Sequence, residues 1–215
     1  MSTAPLPGSA VLLQATGLNF SYPGLPLFSG WSATLFPGIT LVSGGDGRGK
    51  SSLLRLLAGQ LAAHSGDLRL RGVSLRDTPE AYRAQVFFTD ARTEAFDTLT
   101  PVQYFDAQQA LYPAFDRTVL APLVDGLSLD EQMGKQLFML STGSKRKVFL
   151  AAALASGAPL TLLDMPFAAL DKASIRFVTR WLEDAWANTG RALVLADYAA
   201  PEQLTLAKVI DLGDG

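Results

Sequence analysis

Short apolar runs alternate with stretches of helical periodicity along most of the chain, the pattern of an α/β domain. Residues 18–22 and 31–36 read as antiparallel strands joined through Pro23-Gly24-Leu25-Pro26. Pro37-Gly38 marks a second turn, and residues 39–42 form a short apolar, β-prone run that leads into a helix reaching about residue 61. Residues 67–72 read as a strand and turn, and residues 84–89 as a buried strand. From about 101 to 139 the pattern is helical, with Pro113, Pro122 and Gly126 as breaks, and residues 145–155 give another helix. Residues 160–164 read as a core strand ending in Asp164, residues 173–188 as a long helix, and residues 192–196 as a further core strand.

The longest apolar stretch, residues 148–163, has the look of a membrane span but is interrupted by Ser156-Gly157-Ala158-Pro159. A span needs about 20 apolar residues, so a buried helix followed by a buried strand is the expectation. Residues 1–10 are rich in Ser, Ala and Pro, with neither a basic start nor an apolar run. They are expected to form a flexible tail, with residues 11–215 as one domain.

At 215 residues and 48 % hydrophobic the chain can bury a substantial core. A formal charge of −2 argues against a protein built to hold nucleic-acid backbone. The lack of cysteine excludes disulfides, thiolate metal sites and cysteine catalysis.

The chemistry concentrates in Gly44-Gly45-Asp46-Gly47-Arg48-Gly49-Lys50-Ser51-Ser52, which fits the pattern G-x-x-x-x-G-K-[ST]. Here a strand feeds a glycine loop that opens a helix. The glycines let backbone N–H groups converge on phosphate oxygens, and the helix N-terminus adds partial positive charge. Lys50 would reach the β- and γ-phosphates of a nucleoside triphosphate, and the Ser51 hydroxyl would ligate Mg²⁺. Asp164, at the end of a core strand, is the matching metal-binding carboxylate. Ser141 and Gly143, just before the helix at 145–155, offer either a second anion site or a simple helix cap; on those residues alone the cap is favoured.

In this order the motifs resemble the ATP-binding subunit of an ABC (ATP-binding cassette) transporter from about Leu12 to the C-terminus. Residues 44–52 are similar to that family's Walker A loop, residues 140–144 to its LSGGQ signature with Thr142 and Ser144 departing from it, residues 160–164 to Walker B, and residues 168–171 to its D-loop. Tyr22 stands where the family places an aromatic that stacks on adenine. The resemblance implies a P-loop NTPase core of mostly parallel sheet, with an N-terminal antiparallel β subdomain and an inserted helical subdomain at about residues 101–156. It further implies ATP and Mg²⁺ as ligands, a homo- or heterodimer of cassettes, and a transmembrane permease as partner. The chain would then lie at the inner face of the cell membrane. The aromatic stretch at residues 87–105, with Phe96 and Tyr104, falls where the family meets that partner, although Phe87 and Phe88 read as core.

Several positions depart from the family. Its water-polarising Glu is Met165, its switch His is Tyr198, and its Q-loop Gln is Thr89, with Asp90 next. Loss of a positioned base costs about 10²–10⁴ in rate, whereas ATP binding rests on residues that remain. The expectation is binding with impaired hydrolysis, Asp197 or Asp90 being candidate substitute carboxylates. A soluble ATP-dependent switch or assembly factor of the same superfamily is the alternative. A small-molecule kinase or GTPase fits less well, because no guanine-specifying N-K-x-D is present.

Overall fold

The computed structural model describes residues 10–90, 93–186 and 189–213. The expected tail therefore lies outside the described residues except for Ala10, as does the end of the helix expected over 173–188.

β1 (Leu13–Tyr22) and β2 (Leu25–Leu35) pair antiparallel with Phe20 opposite Phe28. The turn between them is tighter than expected, since Leu25 and Pro26 already belong to β2. Pro26 is tolerated because β2 is the edge of its sheet, where a missing N–H leaves no neighbour unpaired. β3 (Gly38–Ser43) follows, then α1 (Lys50–Leu57). This helix stops before the expected residue 61 because Gly59 takes φ +67°. Gln60 N–H then bonds Arg55 O and Gly59 N–H bonds Leu56 O, the paired bonds of a left-handed helix stop. β4 (Ser65–Leu70) and β5 (Val73–Ser74) complete the antiparallel sheet, in the order β2-β1-β4-β5.

The second sheet is parallel and organises the rest. After α2 (Pro79–Arg83) come β6 (Val86–Thr89), then β7 (Leu160–Asp164), β8 (Ala192–Ala196) and β9 (Lys208–Asp211), in the spatial order β6-β7-β8-β3-β9. Every residue of β7 and β8 is buried, as expected for parallel strands covered on both faces. In β8, Leu193 and Leu195 join one core cluster while Ala192, Val194 and Ala196 join the other. The register aligns Val42 with Ala196 and Ala196 with Asp164, so the loops after β3, β7 and β8 leave from one edge. In open α/β sheets that edge is where ligands bind.

Helices α3 (Pro101–Leu111), α4 (Arg117–Gly126), α5 (Thr142–Ala155) and α6 (Lys172–Trp181) cover the parallel sheet and each other. Pro122 was expected to break the chain but lies inside α4, where burial of Leu120, Leu123 and Val124 outweighs the lost backbone bond. α5 starts three residues earlier than its pattern suggested because Ser141 caps it. α6 continues as a π-helical turn, Leu182–Trp186, so the expected single long helix changes its winding there. Arg191 fixes the far end of α5 by donating to Ala158 O at 2.8 Å and Leu154 O at 3.2 Å, over the Trp186 ring. Burial pushes its pKa down to about 10, which leaves it cationic at neutral pH. Among the described residues no helix is long and apolar enough to cross a membrane.

Candidate functional site

The glycine loop between β3 and α1 needs backbone that other residues resist. Gly44, Gly47 and Gly49 have φ of +147°, +72° and +91°, and a Cβ on Gly47 would enter open space at the cleft rather than touch protein. No side chain caps α1, so its first N–H groups are left to an anion. Lys50 is the first helical residue and nearly buried. Its Nζ donates to Gly44 O at 2.6 Å and Gly45 O at 2.8 Å. The last described residues brace the loop from outside, as Gly213 O accepts Gly45 N–H at 3.1 Å and Arg48 Nε–H at 3.3 Å.

A cleft of about 520 Å³ opens above this loop. Asp46 to Ser52 form its floor, Tyr22 and Leu25 one rim, and Asp90, Arg146, Asp164, Met165 and Tyr198 the opposite side. Tyr22 presents a partly exposed ring at the rim, its hydroxyl 3.3 Å from Ser52 Oγ and its edge set against Phe20. Ser51 and Asp164, the expected Mg²⁺ ligands, both line this cleft. Among the described residues no group of three or more His, Cys, Asp or Glu is placed to hold a metal ion. One hydroxyl and one carboxylate suit a Mg²⁺ whose remaining ligands are phosphate oxygens and water.

Met165 follows Asp164 with φ +49°, and its N–H is tied to Ala196 O at 2.8 Å, so its side chain leaves for the cleft from a fixed point. Tyr198 leans over the loop, its hydroxyl donating to Asp46 Oδ1 and its ring centroid 4.5 Å from Lys50 Nζ. Asp197 does not line the cleft. Its Oδ1 accepts Tyr198 N–H at 2.8 Å, and burial, helped by the charge of Asp164, raises its pKa against the pull of Lys50 and Arg146.

Two expectations change. Thr89 was given the Q-loop position, but it is buried in β6 beside the Tyr104 hydroxyl, and Asp90 is the residue that reaches the cleft. Phe96 and Tyr104 were placed on a partner surface, yet Tyr104 is 1 % exposed and Phe96 packs on it with ring centroids 5.0 Å apart. Tyr104 belongs to the core between α3 and α5, and Phe96, half-buried, packs against that core.

Ser141 and Gly143 stand apart from the cleft. Ser141 Oγ accepts Ser144 N–H at 3.1 Å, the cap foreseen as its simpler role. A Cβ on Gly143 would sit 2.5 Å from Ala169 O, so glycine lets α5 approach the loop after β7. Three cations in the first turns of α5 oppose the helix dipole, and each has a partner. Lys145 pairs with Asp97, Arg146 donates to Ala168 O, and Lys147 meets Asp171 at 2.7 Å. The sequence reading passed over Arg146, although a Lys-Arg-Lys run at a helix start was the signal.

Asp171 also caps α6, accepting Ser174 N–H at 2.8 Å. The Lys147 ammonium, then the Ser174 backbone and hydroxyl, hold its carboxyl well below the usual carboxylate range. Asp171→Ala is expected to cost about 1 kcal/mol at neutral pH through the lost cap. A depressed folded pKa means that this contribution is present above the unfolded value of about 3.9 and is lost as pH falls below it. Denaturant titrations of wild type and variant at pH 7 should therefore differ and should converge in strong acid.

Residues 29–168 match the family model described as ABC transporter. The chain belongs to the ABC transporter family. ATP-binding subunits are among the relatives it is similar to. The chain is 34 % identical over 203 residues to the taurine import ATP-binding protein TauB of Pseudomonas fluorescens, covering 91 % of this chain and 75 % of that protein. It is 31 % identical over 202 residues to the cytochrome c biogenesis ATP-binding export protein CcmA of Pseudomonas savastanoi pv. phaseolicola, covering 94 % and 95 %. In fold the cassette is similar to an ABC transporter ATP-binding subunit of solved structure, with a TM-score of 0.76 at 22 % identity over 87 % of this chain and 79 % of that one. A putative ABC transporter ATP-binding protein from Pyrococcus furiosus gives 0.74 at 20 % identity, covering 93 % and 96 %.

Proposed function

We propose that this cassette binds Mg-ATP in the cleft above Lys50, pairs with a second cassette, and transmits its nucleotide state to a separate transmembrane permease while hydrolysing ATP slowly or not at all. The observation that carries the reading is the make-up of the cleft where the loop meets the end of β7. Lys50, Ser51 and Asp164 can hold a phosphate chain and its cation, while the neighbouring position belongs to Met165. A thioether neither accepts a proton usefully nor orients water.

In this reading Tyr22 stacks on adenine, worth about 1–3 kcal/mol in comparable base–aromatic contacts. The loop N–H groups and Lys50 hold the phosphates. Ser51 and Asp164 hold Mg²⁺, which offsets the charge on the β- and γ-oxygens. Ser141 and Gly143, away from this cleft, serve the nucleotide of the paired cassette. A nucleotide that favours one arrangement of the pair stabilises it by mass action whether or not it is cleaved. The permease would place the chain at the inner face of the membrane.

The test combines calorimetry with phosphate release. The purified chain is expected to bind Mg-ATP without measurable turnover, and to co-purify with a membrane protein after detergent extraction. Turnover by the chain alone that disappears in Lys50→Ala would overturn the slow-hydrolysis reading. A purely soluble partner would overturn the permease and favour an assembly factor.

A further inference from the structure

Tyr198 and a phosphate chain have a claim on the same ammonium. Lys50 has three N–H donors. Two go to Gly44 O and Gly45 O, and the Tyr198 ring covers the remaining side, its centroid 4.5 Å from Nζ. The phenol is held in place by its bond to Asp46 on the loop itself. An ammonium–phosphate hydrogen bond needs about 2.7–2.9 Å between heavy atoms, closer than that ring allows on the same side. Tyr198 is 54 % exposed, so the ring can swing into solvent without leaving a cavity.

We propose that Tyr198 is a latch on the phosphate loop, competing with the β- and γ-phosphates for Lys50 and released when a nucleoside triphosphate takes its place. The inference rests on the nucleotide reading above and deepens it. The ring pre-orders Lys50 over the loop, and the bond to Asp46 occupies a carboxylate that would otherwise face incoming phosphate. An ordinary phenol is a donor at neutral pH, and the same hydrogen bond raises the Tyr198 pKa further. Tyr198 acts through Lys50 and Asp46 and is a positioning residue. Its opposition is specific to nucleotides with phosphates beyond the first, because only those reach Lys50.

The test measures Mg-ATP and AMP affinity by calorimetry for wild type, Tyr198→Ala and Tyr198→Phe. Tyr198→Ala is expected to bind ATP about 5- to 60-fold more tightly, the span of a cation–π contact plus one hydrogen bond, with AMP affinity unchanged. Tyr198→Phe keeps the ring and loses the anchor to Asp46, so it should gain in the same direction by less. It carries the test if Tyr198→Ala does not fold. Weaker or unaltered ATP binding in both variants would overturn the latch, as would an equal gain for AMP, which would point to a steric cover over the whole cleft. If wild type binds ATP and the variants bind no tighter, only the latch falls. If none of the three binds ATP, the nucleotide reading falls and takes the latch with it.

Discussion

Met165→Glu is expected to raise ATP turnover by about 10²–10⁴-fold, the range that one positioned acid–base group contributes. The side chain already lines the cleft beside Asp164, and its backbone is pinned by the N–H bond to Ala196 O. The backbone there has φ +49°, which is no harder for Glu than for Met, so the exchange adds no conformational strain. In the proposed nucleotide pose, a carboxylate at that point would stand near the last phosphate and its attacking water. Steady-state phosphate release at saturating Mg-ATP provides the measurement. An unchanged rate would mean that water is positioned by another group. Asp90, which shares the cleft, would be the first to replace by Ala, and Asp197 the second. Because residues that act as a unit do not contribute additively, the gain in a chain with Tyr198 at the switch position is expected toward the lower end of the range.

Lys50→Ala is expected to weaken ATP binding by about 10- to 100-fold, since hydrogen bonds to charged groups contribute about 1.5–3 kcal/mol and each 1.4 kcal/mol is a factor of ten. AMP should be almost unaffected, because in the proposed pose its contacts lie at the Tyr22 end of the cleft. The variant also frees Gly44 O and Gly45 O and leaves the Tyr198 ring with no cation beneath it. Calorimetric titration with the two nucleotides separates the local effect from a general collapse of the loop. Equal losses for both would point to collapse.

What the sequence made legible was local. Strand, glycine loop and helix at residues 38–57 could be read because every signal lies within a few residues of its effect. β7 and β8 stood out as apolar runs because they are buried on both faces. β9 was not foreseen. It has four residues, Lys and Asp at its ends, and owes its conformation to pairing with β3, more than 160 residues earlier in the chain. Thr89 and Asp90 show the same limit inside the site. Thr89 ends β6 and stays buried, while Asp90 begins the loop after it, so the one-residue position of the strand end decided which of them reaches the cleft. Pro122 misled because propensity is weaker than the packing of α4. Tyr198 was noted for what it replaces, but its contacts with Asp46 and Lys50 depend on a loop 152 residues away.

The brace from Gly213 gives this protein a particular order of assembly. The phosphate loop is synthesised early, yet the carbonyl that accepts Gly45 N–H and Arg48 Nε–H belongs to a residue made roughly 165 positions later. β3 likewise gains its outer neighbour only when β9 emerges. On the ribosome, where chains fold progressively from the N-terminus, the loop therefore stays without its splint until residue 213 is free. The loop is then splinted only after β7 and β8, which lead into the opposite side of the cleft, have been made.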